Sequence, residues 1–114
     1  MKVTDNYSLE WKDIDEGFSR LHADKVFLGV RGIDLLHGLT DTDTRRIVLK
    51  QVMIQASQQV IVVADSRKIG KPSLIDIAPL NVVNSIVTDE GIEPALLDEL
   101  RNKGVQVYIA QDIH

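Results

Sequence analysis

The chain has 114 residues, 44% of them hydrophobic, and a formal net charge of -4, which predicts one compact domain and leaves no room for a second. The acidic balance argues against DNA binding by this chain alone, because duplex binding depends on Lys and Arg side chains that neutralise phosphates. The chain has no cysteine, and its three histidines lack metal-ligand spacing, so we expect neither a disulfide nor a protein-bound metal.

No stretch of the sequence predicts a membrane or export segment. The N-terminus lacks the apolar core of a signal peptide, and no apolar run approaches the roughly 20 residues that are needed to cross a bilayer. We therefore expect a cytoplasmic protein without membrane contact.

The first predicted element is an amphipathic helix over Trp11–His22, since apolar residues recur there every three or four positions. A short strand, Val26–Val30, follows it. This strand lacks polar alternation, which predicts a central position in a sheet with both faces covered. The apolar stripe of the helix consists of Trp11, Ile14, Phe18 and Leu21.

The next segment, Arg31–Asp43, is rich in Gly, Asp and Thr and is predicted to be a loop. Its end supplies a helix start, because Thr42 or Asp43 can cap a helix that runs to about Ala56. The predicted buried stripe of that helix consists of Leu49, Val52, Met53 and Ala56.

The second half of the chain continues the alternation of short β-branched runs and amphipathic stretches. This alternation predicts an α/β domain with a mostly parallel four-stranded sheet and flanking helices, formed by residues 1–114. The remaining predicted elements are a buried strand at Gln59–Ala64, an irregular segment at Ser66–Pro79, a third strand at Ser85–Thr88, a helix from Pro94 to a stop at Gly104, and a fourth strand at Val105–Ile109.

Polar residues follow the predicted strands. The carboxyl ends of parallel strands lie along one edge of a sheet, and open α/β sheets bind ligands there. Cations that meet phosphate and carboxylates that accept from hydroxyls suit a phosphorylated sugar or polyol. The competing interpretation is that Asp34 and Asp65 are turn and cap residues and that the cations are solvated. The residues predicted at this edge are Arg31, Asp34, Asp65, Ser66, Arg67, Lys68, Thr88, Asp89 and Gln111.

Three other motifs are weaker. Gly29-Val30-Arg31-Gly32 resembles the start of a dinucleotide fingerprint, but no third glycine stands at Leu35. Lys71-Pro72 is similar to a phosphoacceptor receiver motif, but it lies mid-chain instead of after the last strand. Ser66 with Lys68 could form a nucleophile and base, but no nucleophile elbow surrounds them.

Seven short phrases in register carry a family resemblance. They are Ala23-Asp24-Lys25-Val26-Phe27-Leu28-Gly29-Val30, Gly32-Ile33-Asp34, Gly38-Leu39-Thr40, Lys50 with Met53-Ile54, Ala64-Asp65-Ser66-Arg67-Lys68-Ile69-Gly70, Ala78-Pro79-Leu80, and Thr88-Asp89-Glu90-Gly91. From about Leu9 to Ala110 the chain resembles the C-terminal effector domain of DeoR-type transcriptional regulators of sugar metabolism. The resemblance implies part of a fold like that of ribose-5-phosphate isomerase and glucosamine-6-phosphate deaminase. It also implies a phosphorylated sugar or polyol as effector, and a regulatory domain without catalytic residues or a cofactor.

The resemblance also assigns candidate effector-binding residues. Asp34 and Lys68 stand where the related isomerases place active-site groups, and we expect Arg31, Thr40 and Asp65 beside them. The sequence departs from the family at Arg45-Arg46-Ile47-Val48, where relatives usually have a glutamate-rich stretch. A possible ligand carboxylate is therefore missing from this position.

The resemblance further implies partners. We expect the winged helix-turn-helix to be absent from this chain, together with the first half of the effector domain and its Gly-Thr-Thr-type phosphate loop. DNA would then be bound only through a domain that this chain does not contain. Because a parallel sheet needs cover on both faces and the chain offers about three helices, we expect a homodimer or higher oligomer.

A sugar-phosphate isomerase is the alternative function. In that case Asp34 or Asp65 would move a proton between carbons, and Lys68 would stabilise the enediolate oxygen. The sequence shows no backbone nest that would hold the phosphate of such a substrate.

Overall fold

The computed structural model describes residues 22–111, which form seven strands and two helices. The helix predicted for Trp11–His22 lies outside the described residues apart from His22. The elements are β1 (Ala23–Gly29), β2 (Gly32–Asp34), β3 (Gly38–Asp41), α1 (Thr44–Ala56), β4 (Ser57–Val63), β5 (Ile75–Ala78), β6 (Ser85–Asp89), α2 (Pro94–Asn102) and β7 (Gln106–Ala110), with short 3-10 turns at Ser66–Lys68 and Leu80–Val82.

The predicted α/β fold with a four-stranded parallel sheet is confirmed. Strands β1, β4, β6 and β7 pair in that order, and all three pairings are parallel. Each of the four predicted strands lies within three residues of its observed bounds. The carboxyl ends of the strands therefore lie along one edge, as the sequence predicted.

The predicted central position of the first strand is wrong for the described residues. β1 is an edge strand of the four-stranded sheet, and the central strands are β4 and β6. Its side chains alternate, with Val26 and Leu28 buried and Phe27 exposed. The apolar run misled the prediction, because the exposed Phe27 is apolar like the buried Leu28.

Both helices lie on the same face of this sheet. The connections from β1 through α1 to β4, and from β6 through α2 to β7, advance in the same direction along the strand order. Right-handed crossovers then bring both helices to one face. The core on that face is built from Leu28, Val62 and Ile86 of the sheet, together with Ile47 of α1 and Leu100 of α2.

Helix α1 begins and ends close to the prediction, but its buried stripe differs. The Asp43 carboxylate accepts a hydrogen bond from the Arg45 backbone N–H at 2.9 Å, which makes Asp43 the N-cap. Ile47 is the buried residue of the helix, whereas all four predicted stripe residues are only partly buried. The spacing of Ile47, Lys50, Gln51 and Ile54 places two polar residues on the inward side, and a search for apolar periodicity cannot find such a stripe.

Helix α2 agrees with the prediction at both ends. Pro94 occupies its first turn, where the missing N–H is tolerated. Gly104 follows the helix with a φ of 89°, a left-handed conformation that glycine adopts without steric cost. Leu100 is buried, and Leu96 and Leu97 are partly buried against the core.

A second, three-stranded antiparallel sheet replaces two segments that were predicted to be irregular. The predicted loop Arg31–Asp43 contains β2 and β3, and the predicted irregular segment Ser66–Pro79 contains β5. These strands pair in the order β2, β3, β5. Three or four residues are too few to show a period of two, and β5 pairs with a strand that is distant in sequence, so local pattern did not reveal them.

Candidate functional site

The loop after β4 brings the Lys68 ammonium, a group that binds anions, close to the Asp65 carboxylate. The Asp65 carboxylate caps the 3-10 turn by accepting from the Arg67 backbone N–H at 3.0 Å. The Lys68 ammonium lies 4.0 Å from the other Asp65 oxygen, and its side chain is 40% exposed. This separation is longer than a hydrogen bond, so the Lys68 ammonium can donate to a further group.

A carboxylate at the end of β6 fixes this loop. Asp89 accepts from the Ser66 backbone N–H at 2.9 Å and from the Gly91 backbone N–H at 2.8 Å. Hydrogen bonds from the Ser66 hydroxyl and backbone, and then from Gly91, lower the pKa of Asp89 below its usual value. Asp89 is therefore ionised at neutral pH and joins the strand ends of β4 and β6.

A second ionic cluster lies next to Gly29, the last residue of β1. Asp41 is 1% exposed, and its carboxylate accepts from the Arg46 guanidinium at 2.7 Å and from the Lys50 ammonium at 3.0 Å. The Lys50 ammonium also donates to the Gly29 carbonyl oxygen. Burial alone would raise the pKa of Asp41, but the hydrogen bonds from Arg46, Lys50 and the Thr42 backbone outweigh it and hold that pKa well below its usual range.

The two clusters lie at neighbouring strand ends. Gly29, which receives the Lys50 hydrogen bond, is in register with Val63 of β4, and Asp65 follows Val63 by two residues. Arg31 is exposed just beyond the end of β1, and its backbone N–H donates to the Thr40 carbonyl at 3.1 Å. Arg31 therefore follows the carboxyl end of β1, and Asp65 and Lys68 follow the carboxyl end of the neighbouring strand β4.

Asp34 and Thr40 have internal hydrogen bonds. The Asp34 carboxylate accepts from the backbone N–H groups of Leu36 and His37, so it closes the turn between β2 and β3. Thr40 is fully buried, and its hydroxyl donates to the Gly32 carbonyl and accepts from the Ser73 backbone N–H at 2.7 Å. A backbone hydrogen bond connects β2 to the loop that contains Lys68, since the Gly70 N–H donates to the Ile33 carbonyl at 2.7 Å.

Two open cavities of about 380 Å³ each lie near the opposite, amino edge of the parallel sheet. Both include Leu80, Asn81 and Lys103 in their walls, and Lys103 stands at the C-terminal end of α2. Leu35 and Leu36, next to Asp34, line the second one. The turn that Asp34 closes therefore borders the amino-edge cavities, whereas Asp65 and Lys68 belong to the carboxyl edge.

The sequence-based site prediction missed Asp41 and Arg46, and it placed Asp89 at the carboxyl edge without giving it a role. The prediction treated Arg45-Arg46-Ile47-Val48 as the loss of a carboxylate, but Asp41 supplies one from β3 and neutralises Arg46 and Lys50. The spacing of Asp41, Arg46 and Lys50 was visible, yet only the tertiary fold shows that one carboxylate serves both cations. Within residues 22–111, no three His, Asp or Glu side chains group as metal ligands, and neither helix is long and apolar enough to cross a membrane.

Comparisons with known proteins agree with this architecture. The family profile described as the DeoR C terminal sensor domain matches residues 4–90. The uncharacterized HTH-type transcriptional regulator YulB of Bacillus subtilis is 38% identical over 86 residues, which are 75% of this chain and 33% of that protein. The HTH-type transcriptional repressor GlcR of the same organism is 35% identical over 96 residues, 84% of this chain and 37% of the repressor.

A third relative carries a named metabolite in its description. The glycerol-3-phosphate regulon repressor of Escherichia coli is 25% identical over 91 residues, 80% of this chain and 36% of that repressor. The chain thus spans between 33% and 37% of the length of these three relatives. The family match covers most of the chain, so the chain belongs to the family of DeoR C-terminal sensor domains, whose fold is isomerase-like.

Proposed function

We propose that this chain is the effector-sensing and oligomerisation part of a DeoR-type transcriptional regulator of sugar metabolism, and that its effector is a phosphorylated sugar or polyol. The observation that carries the proposal is the membership in the sensor-domain family. The half-exposed Lys68 ammonium beside Asp65 supports it, since ammonium groups bind phosphate and carboxylates accept from hydroxyls. The name of the glycerol-3-phosphate regulon repressor is consistent with this class of effector.

The five predicted site residues have different roles in this proposal. Lys68 and Arg31 bind the phosphate, and Asp65 accepts from a hydroxyl of the effector. Asp34 and Thr40 act as positioning residues, because one Asp34 carboxylate oxygen and the Thr40 hydroxyl are engaged in hydrogen bonds within the protein. Thr40 connects the segment before β5 to β2, and Asp34 fixes the turn that follows β2.

Sensing follows from a difference in affinity between two arrangements of the carboxyl-edge loops. An effector that binds one arrangement better shifts the population toward it. The output is DNA binding in the cytoplasm by a domain outside this chain. The helix-turn-helix names of the relatives and the net charge of -4 support the assignment of DNA binding to a different domain.

A thermal-shift panel of phosphorylated sugars and polyols tests the proposal. At a concentration about 100-fold above Kd, binding stabilises the folded state by about 2.7 kcal/mol, which raises the melting temperature by several degrees in a domain of this size. Dephosphorylated counterparts of each compound should give no shift. A panel in which no phosphorylated compound stabilises the protein would refute effector binding by this chain.

Two matched variants locate the site. Lys68→Ala should abolish the ligand-induced shift, because it removes the phosphate contact at the carboxyl edge. Lys103→Ala, the same change beside the amino-edge cavities, should leave the shift intact. The reverse pattern would place the ligand in the amino-edge cavities and reject the assignment of Lys68.

An isomerase is the second candidate, favoured by one observation. Asp65 and Lys68 stand 4.0 Å apart, as a general base and an electrostatic stabiliser of an enediolate would. The test is exchange of the substrate's carbon-bound hydrogen with deuterium from heavy water. Exchange that disappears in Asp65→Asn would favour the enzyme, and binding without exchange favours the sensor.

Self-association is the remaining part of the proposal, and we assign it to the β7 margin. β7 is an edge strand of the described sheet, and Tyr108 and Ile109 on it are both exposed. The Arg101 guanidinium donates to the Val107 carbonyl of this strand at 3.1 Å, so contact would occur through side chains instead of a continued ladder.

A further inference from the structure

One of the two amino-edge cavities is lined mostly by polar side chains. Its volume of about 380 Å³ lies within the range of small-molecule sites. The cavity is found where the parallel strands begin, since Ser85 and Gln106 are the first residues of β6 and β7. We call it the amide cavity and define it by its polar wall residues Gln59, Asn81, Asn84, Ser85, Lys103 and Gln106.

Hydrogen bonds to the sheet fix Asn84 in the wall of the amide cavity. Its side-chain Oδ1 accepts from the Val60 backbone N–H at 2.7 Å. Its backbone N–H donates to the Val60 carbonyl at 3.0 Å, and its carbonyl accepts from the Gln106 N–H at 3.0 Å. Because the amide oxygen must face the Val60 donor, the Nδ2 group keeps two N–H donors for another partner. Asn84 is therefore a preorganised donor at the cavity.

The amide cavity has a cation in its wall and no carboxylate from the described residues. Lys103 is exposed and lines both amino-edge cavities, and no Asp or Glu of residues 22–111 lines either of them. The Lys103 ammonium takes part in none of the ion pairs within this part of the chain. The whole chain has 17 acidic and 13 basic residues, so this wall differs in charge from the rest of the protein. A wall of this composition attracts an anion.

We propose that the amide cavity binds a small hydroxylated carboxylate, such as a sugar acid. The Lys103 ammonium balances the single charge of a carboxylate, whereas a phosphate monoester carries about −1.5 to −2 at neutral pH. The amide and hydroxyl side chains of the wall both donate and accept, as the hydroxyls of such a ligand do. The buried Leu80, Val83 and Val105 form the apolar part of the wall and contact the C–H groups of the ligand.

This site is separate from the effector site proposed above. Lys68 follows the carboxyl end of β4, whereas the amide cavity lies at the amino ends of the parallel strands. None of the five predicted effector-binding residues lies in its wall. The two ligands therefore do not exclude each other, and the proposal holds whether or not the effector is a sugar phosphate.

Calorimetric titration of the full 114-residue chain with gluconate and other aldonic and uronic acids tests the proposal. Sorbitol is the matched ligand control, because it replaces the carboxylate of gluconate by a hydroxymethyl group. We expect saturable binding of at least one acid and no binding of sorbitol. Binding of no acid, or equal binding of sorbitol, would overturn the proposal.

Two variants of the wall test the assigned contacts. Lys103→Ala should weaken binding of the acid about tenfold or more, because it removes a charge-assisted hydrogen bond. Asn84→Asp should have a similar effect, because aspartate still accepts from the Val60 N–H but replaces the donor with a carboxylate oxygen. Lys71→Ala, at an exposed lysine outside both cavity walls, should leave the affinity unchanged. Undiminished affinity in either wall variant would reject the assignment.

NMR chemical shifts locate the ligand in the wild-type chain without relying on the stability of a variant. The side-chain NH₂ resonances of Asn84, identified by their loss in Asn84→Asp, should shift on titration with the acid, together with the backbone amide of Gln106. The backbone amides of Ser66–Lys68 should not shift. Changes confined to Ser66–Lys68 would move the ligand to the carboxyl edge and overturn the proposal.

Discussion

The buried Asp41 carboxylate holds the Lys50 ammonium at 3.0 Å, and this ammonium also donates to the Gly29 carbonyl at the end of β1. The pair therefore fixes helix α1 to strands β1 and β3 through a single side chain. Because Arg46 shares the same carboxylate at 2.7 Å, removal of Asp41 leaves two cations without their partner.

Asp41→Asn should destabilise the protein by about 3 kcal/mol, since breaking a buried ion pair leaves an uncompensated charge. Urea denaturation measures the change. Asp43→Asn is the matched control, because asparagine also caps helices and the Asp43 contact with Arg46 is long, 3.7 Å. The Asp43→Asn control should lower the free energy of unfolding by roughly 0.5 kcal/mol or less. Equal effects of the two variants would contradict the role assigned to Asp41.

The same carboxylate predicts a pH dependence. The pKa of Asp41 is lowered in the folded protein, so its contribution to stability is fully present above the ordinary carboxyl pKa of about 3.9 and is lost as the pH falls toward the folded value. The difference in unfolding free energy between wild type and Asp41→Asn should be constant from about pH 7 to about pH 5 and should shrink below about pH 4. A difference that grows on acidification would show that the sign is wrong.

Gly38 and Gly104 both have positive φ values, 79° and 89°, but different surroundings. A Cβ on Gly104 meets no atom within 4 Å, whereas a Cβ on Gly38 would overlap the Ala78 carbonyl oxygen. Gly104→Ala should therefore lower the free energy of unfolding by about 1 kcal/mol, from backbone strain alone. Gly38→Ala should cost about 3 kcal/mol or more, because a clash with backbone is added. Melting temperatures in the opposite order would disprove this account.

Asp89→Asn should loosen the loop after β4. A carboxylate accepts from Ser66 and Gly91 at once, whereas the amide group of asparagine has only one oxygen to accept with. Hydrogen exchange at the Ser66 and Gly91 amides should become faster, and the effector-induced thermal shift should decrease. Glu90→Gln, an exposed neighbour, is the control and should change neither. Unchanged protection of both amides in Asp89→Asn would exclude the proposed coupling.

Ile109→Lys should convert the proposed oligomer to a monomer, because it introduces a charge into the exposed β7 margin. Light scattering at micromolar concentration measures the mass. The control is Leu74→Lys, at another exposed apolar position, which should leave the mass unchanged. A monomeric wild type would contradict self-association altogether, and an oligomeric Ile109→Lys would move the interface elsewhere.

The parallel sheet could be predicted from sequence because β4 and β6 contain runs of β-branched residues that are bounded by turn signals. The small antiparallel sheet could not, because β2 and β3 have only three and four residues, too few to show a clear alternation. The inward side of α1 was hidden for a different reason. Lys50 and Gln51 face the protein interior because they meet Asp41 and the Ile77 carbonyl, and these partners are distant in sequence.

The candidate site was predictable only in part for the same reason. The carboxyl-edge position of Asp65 and Lys68 follows from the order of strands, which the sequence indicates. The separation of Asp34 from that edge does not, because it depends on β2 running back toward the amino edge as part of the second sheet.

The small antiparallel sheet has a mechanical consequence. β2 and β3 come from the segment after β1, and β5 comes from the segment after β4, yet all three share one hydrogen-bonded ladder. These shared hydrogen bonds provide a path by which a distortion of one segment reaches the other. A fluorescent label attached at the exposed Leu36 would therefore report strain that originates at the distant carboxyl edge, which makes this turn a natural position for a biosensor readout.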